Sequence, residues 1–159
     1  MNKHYEEMIV AVGALLTEMD IKYSEEGGCF RALEESEHGF FGSLVVDPGN
    51  EHIAILEALP MPVPEEKREE LIFAMNAVNE RMAYGKFYVA PMTDETGEIV
   101  YRGLYELCVR VPSGAPSKQS VQFLIENSIA EIVNFGNSLL HVINGEQSAV
   151  DVINELGEF

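Results

Sequence analysis

Between Glu65 and Leu107 a helical pattern stops at Tyr84-Gly85-Lys86 and two alternating patterns follow at once. That succession demands a helix running into a β-hairpin. Behind the six charged residues Glu65 to Glu70, the apolar Leu71, Ile72, Met75, Val78 and Met82 recur at helical spacing, and Gly85 is a helix stop. Phe87 and Val89 begin the first strand, Asp94 to Gly97 supply a turn, and Ile99, Tyr101, Tyr105, Leu107 and Val109 mark the return. Phe73, Ala74 and Ala77 widen the helical stripe beyond what one sheet needs. They are the candidate contact of a homodimer, in which small residues allow two copies of the helix to approach closely and Phe73 is the anchor.

The chain before this stretch opens with Tyr5, Met8, Ile9, Val12, Leu15, Leu16 and Met19 on one helical face. Gly13 inside that helix is unfavourable unless another element approaches it closely. Gly27-Gly28 is a turn, and strands follow at 29–34, 40–46 and 52–59, separated by Glu37-His38-Gly39 and Asp47-Pro48-Gly49-Asn50. Pro60, Pro62 and Pro64 lack donors and are expected to end the third strand at Leu59. After a loop at 112–116, Ser117 caps one long helix running from Val121 to Ile143. Gly145 closes it, and Ser148 with Asp151 starts a short last helix. The fold class is α+β: helix, three-stranded antiparallel meander, helix, β-hairpin, C-terminal helices. Residues 1–159 make a single domain by length.

A formal net charge of -17 repels polyphosphate and anionic lipid surfaces, so neither nucleic acid nor a membrane is an expected partner. Cys29 and Cys108 show no CxxC spacing and read as small buried strand residues, which fits a reducing cytoplasm. The apolar run at 8–16 follows Glu6 and Glu7 and lacks a cleavage pattern, so it reads as helix rather than as a signal peptide.

The four histidines are scattered, with no HExxH and no pair at helical spacing, and they offer no metal site. No serine stands in a GxSxG elbow, and the glycines form neither a GxGxxG nor a GxxxxGK[ST] loop. Carboxylate pairs such as Glu25-Glu26 and Glu65-Glu66 sit in turns or helix starts, where dipole and solubility explain them. Neither a catalytic group nor a cofactor is expected. The strands are apolar on both sides: in 52–59, Ile53, Ile55 and Leu59 oppose Ala54, Leu56 and Ala58, while Val100, Leu104 and Cys108 oppose Ile99, Tyr105 and Leu107. Leu56, Val100 and Leu104 are therefore candidates for a partner-binding sheet face.

Several short motifs, in this order and spacing, resemble the YbjN-like family of bacterial sensory-transduction regulators, which is similar in fold to type III secretion chaperones. They are Leu59-Pro60 with Val63-Pro64, Val78-Asn79, Gly85-Lys86-Phe87, Gly97-Glu98-Ile99, and Val142-Ile143-Asn144-Gly145 with Ser148. The resemblance runs from about Leu16 to Leu156. It implies a small, acidic, non-enzymatic α-β-β-β-α-β-β-α domain, often dimeric, whose chaperone relatives hold an extended partner segment. It carries no catalytic residues over. The chain departs from the pattern in its 112–116 loop and in an extra C-terminal helix. The resulting expectation is a protein- or peptide-binding regulator or adaptor, with a small enzyme using a carboxylate-lined cleft as the alternative.

Overall fold

The computed structural model describes residues 3–33, 42–47, 51–111 and 116–157. The expected turns at 37–39 and 48–50 and most of the 112–116 loop lie outside them. Thirteen elements follow in order, α1 Lys3–Glu18, β1 Tyr23–Glu26, β2 Cys29–Ala32, β3 Ser43–Asp47, β4 His52–Pro62, a 3-10 turn Glu65–Lys67, α2 Arg68–Arg81, β5 Lys86–Thr93, β6 Ile99–Arg110, α3 Lys118–Glu131, a π-helical segment Ile132–Gly136, α4 Asn137–Asn144 and α5 Ala149–Gly157. The fold is α+β, and the strands of its sheet are ordered β1-β2-β3-β4-β6-β5. Two compact units share these elements: Met1–Glu57 with Glu106–Ile129, and Ala58–Tyr105 with Ala130–Phe159.

In the first unit, α1 buries Met8, Val12 and Leu16, and the sheet answers with Phe30, Leu44, Val46, Ile53 and Ile55. Gly13 faces Tyr23 so closely that a Cβ there would sit 2.7 Å from the phenol oxygen, and Tyr23 in turn packs edge-on against Phe30 at 5.2 Å. Four antiparallel strands, not three, precede α2. The addition is β1, a polar edge strand of Tyr23, Ser24, Glu25 and Glu26 whose composition conceals its pairing. Both glycines of its hairpin, Gly27 and Gly28, have positive φ, as a tight two-residue connection requires.

In the second unit, α2 packs against β5, α4 and α5 and buries Leu71, Ala74, Met75 and Val78. β4 runs on to Pro62, past the expected end at Leu59. The Val63 N–H donates to the Tyr101 carbonyl at 2.7 Å, so by alternation the nitrogens of Pro60 and Pro62 face away from β6. Among the described residues β3 pairs with His52 to Leu56, so both prolines lie beyond that described ladder. α2 also ends earlier than Gly85: Met82 is already extended, with φ -70° and ψ 142°. At the far hairpin, the Asp94 carboxylate accepts the N–H groups of Thr96 and Glu98, which fixes the expected turn.

The long C-terminal helix is one helical run with a π segment inside it. Its buried positions step from Ser128 to Glu131 and then jump five residues to Gly136 before Leu139, and that extra residue is what an inserted π turn adds. Its caps match the expectation: Ser117 Oγ accepts the Ser120 N–H, Gly145 takes φ 74°, and Ser148 and Asp151 bond reciprocally.

One side chain ties α2 to the sheet edge. Asn79 donates to the Phe87 carbonyl at 2.9 Å and accepts the Phe87 N–H at 2.7 Å, completing two backbone groups on the outermost strand. Asn79→Ala should lower stability by about 1–3 kcal/mol in urea unfolding, and Asn79→Asp by less, because it retains the acceptor. A loss for Asn79→Ala within about 0.5 kcal/mol of zero would contradict this account.

Candidate functional site

A cleft of about 740 Å³ lies in the second unit, lined by Arg81, Asn134, Phe135, Ser138, Val152, Glu155 and Leu156. That volume suits a small ligand. Each wall has a local cause. Val152 and Leu156 lie on the inner stripe of α5, four residues apart, and form a buried floor. Asn134 and Phe135 belong to the π segment, and Ser138 follows in the first turn of α4. Arg81 is the last residue of α2.

The helix end that carries Arg81 is fixed by two buried or half-buried groups. Glu131 Oε1 accepts the N–H groups of Ala83 and Tyr84 at 3.1 and 3.2 Å, and the Tyr105 hydroxyl donates to the Tyr84 carbonyl at 3.2 Å. Arg81 therefore projects from a firmly held terminus. Among the cations of this unit, Lys67 pairs with Glu70, Arg68 stacks 3.7 Å over Tyr101, Lys86 lies by Tyr88, and Arg102 donates to the Leu59 carbonyl. Arg81 alone makes no hydrogen bond, ion pair or ring contact among the described residues. Also on the cleft lining, Glu155 Oε1 accepts from the Gln147 amide at 2.7 Å, and its other oxygen has no such bond among the described residues.

The expected interface residues divide. Ala74 is fully buried inside the chain, which corrects its assignment to an outer contact: α4 and α5 cover the second stripe of α2 and give it an intrachain reason. Ala77 is half-buried, and Phe73 is 58% exposed beside Ile72 at 45%. The expected sheet-face residues are half-buried, Leu56 on β4 in the first unit and Val100 and Leu104 on β6 in the second. Cys29 is half-buried and Cys108 exposed, so neither is the buried strand residue expected. Among the described residues Glu155 is the one carboxylate lining the cleft, and no group of three His, Cys, Asp or Glu among them could hold a metal ion. No helix among them is long and apolar enough to cross a membrane.

The sequence model of one protein family, described as "Putative bacterial sensory transduction regulator", matches residues 9–141. The chain belongs to this family, YbjN. No curated protein matches it. Among solved structures, it is similar to YbjN of E. coli, described as a putative transcription regulator, with TM-score 0.60 and 12% identity over 88% of this chain and 93% of that one. An uncharacterized protein from Methanothermobacter thermautotrophicus is similar at TM-score 0.51 and 14% identity, covering 83% of this chain and 96% of that one. At these identities the likeness is one of YbjN fold.

A residue absent from the sequence reading is Glu57. On β4 it shares the inward face with Ile53, Ile55 and Leu59 and is only 5% exposed. The alternation Ile53, Ile55, Glu57, Leu59 was its signal. Gly42 crosses so close above that a Cβ there would lie 2.5 Å from the Leu56 carbonyl oxygen. Burial pushes the Glu57 carboxyl up from 4.5 to about 8, opposed in part by the nearby Gly42 amide, which does not reach either oxygen in good hydrogen-bond geometry. A carboxyl whose folded pKa is raised binds its proton more tightly in the folded chain. Its contribution is intact below about pH 4.5 and is lost as pH climbs toward 8. Thermal unfolding should show a stability decline of up to about 1.4 kcal/mol per pH unit in that window, summing to a few kcal/mol at most. Glu57→Gln should flatten it and be the more stable chain at the alkaline end. Parallel pH profiles for the two chains would refute this.

Proposed function

We propose that the chain is a regulator that acts by binding protein rather than by turning over a substrate, and that it works as a homodimer joined through the outer face of α2. What carries this reading is Phe73, 58% exposed beside Ile72 on a helix whose remaining large apolar side chains are buried by its own unit. Two adjacent exposed apolar residues on an otherwise charged helix are disfavoured in water, and covering them with the same residues of a second copy is the economical remedy. Half-buried Ala77, one turn further, permits close helix approach. Membership of a family described as a sensory transduction regulator supports a binding role. The partner segment is assigned to the half-buried apolar positions Val100 and Leu104 on β6 of the second unit.

Light scattering over a concentration series tests the dimer. The expected result is twice the chain mass for the native sequence and weakening of at least about tenfold for Phe73→Glu, as for an anchor residue. A monomer mass throughout, or a Phe73→Glu chain that dimerises equally well, rules the interface out. For the partner, a photocrosslinking residue at Leu104 in the parent cell should yield one discrete adduct that the same residue at exposed Glu95 does not give.

A further inference from the structure

We propose that the cleft of the second unit is an effector site for a small zwitterion with an apolar body, namely a free apolar amino acid or a short apolar peptide. Two charges of opposite sign line this cleft, Arg81 and Glu155, yet they form no ion pair with each other among the described residues. In a chain with 27 acidic and 10 basic side chains, a guanidinium left without an acidic partner among the described residues is unexpected. An arginine fork suits a carboxylate, and the unengaged oxygen of Glu155 suits an ammonium. The same lining includes the Ser138 hydroxyl and the Asn134 amide, with Phe135, Val152 and Leu156 as the apolar part.

Electrostatics selects among ligand classes. A phosphate or fatty acid would bring uncompensated negative charge to a protein of net charge -17 and to a cleft that already contains Glu155. A cationic ligand would leave Arg81 unanswered and repel it. A zwitterion uses both side chains and crosses the surrounding field at no net cost. The π segment gives independent support. It interrupts an otherwise regular helix at Ile132–Gly136 and thereby presents Asn134 and Phe135 to the cleft; such segments recur at functional sites because they redirect side chains at the expense of regular hydrogen bonding. This inference does not depend on the docking face of α2.

Isothermal titration of the full chain decides it, with leucine and leucyl-leucine as probes, N-acetyl-leucine lacking the ammonium, and leucinamide lacking the carboxylate. Leucine or leucyl-leucine should bind, and which binds more tightly identifies the source. N-acetyl-leucine and leucinamide should each bind at least about tenfold more weakly, the cost of removing one charge-assisted bond. Arg81→Gln should erase the preference for leucine over leucinamide, and Glu155→Gln that over N-acetyl-leucine. Both side chains are exposed, so the variants should keep the native melting temperature, checked in parallel. Absence of binding by both zwitterions at about 10 mM, below any physiological affinity scale, overturns the proposal, as does equal binding of leucine and N-acetyl-leucine.

Discussion

Polar side chains that complete backbone groups at the junction of α2 and β5 hold the second unit together. Asn79 spans both groups of Phe87, and Glu131 takes two N–H groups just past the helix end, while Tyr105 secures the carbonyl of Tyr84. The two backbone groups of buried Phe87 would otherwise lose these partners, at a cost comparable to the net contribution of several ordinary hydrogen bonds. The apolar packing of Leu71, Met75 and Val78 gives the unit its cohesion, but it is indifferent to where the chain leaves the helix. The polar contacts set that point. Through it they set the direction of Arg81, and hence the geometry of the cleft.

The first unit handles a buried polar group in the opposite way. Among the described residues Glu57 has neither a cation nor a well-placed donor to answer it, and its environment is tolerated by keeping the carboxyl neutral. Glu131 is thus answered by neighbouring N–H groups, and Glu57 by a proton.

Much of the architecture was legible because it rests on local rules. The α2 stripe, the Asp94 turn, the Ser117 cap, the Gly145 stop and the Ser148–Asp151 box each depend on residues within a few positions of one another. What escaped depends on neighbours distant in sequence. β1 is polar and exists because β2 pairs with it; β4 passes through Pro60 and Pro62 because their nitrogens face away from β6; α2 stops at Arg81 because Glu131, fifty residues later, offers an acceptor. Ala74 looked surplus to one sheet only because the cover given by α4 and α5 could not be read from the helix itself. The cleft was illegible for the same reason: its lining comes from residues 81, 134–138 and 152–156, with no spacing that announces them. Phe73 was legible, since helical periodicity alone put it off the main stripe.

The neutral Glu57 makes solvent hydrogen ion a reactant in the folding of this protein. At neutral pH the unfolded chain has this carboxyl ionised, and the folded chain does not, so each molecule removes close to one proton from the medium as β4 enters the core. The folded protein is accordingly about one charge less negative than its sequence formula of -17. Heat measured on unfolding must then vary with the ionisation enthalpy of the buffer, a calorimetric mark that ion pairing at the surface would not leave.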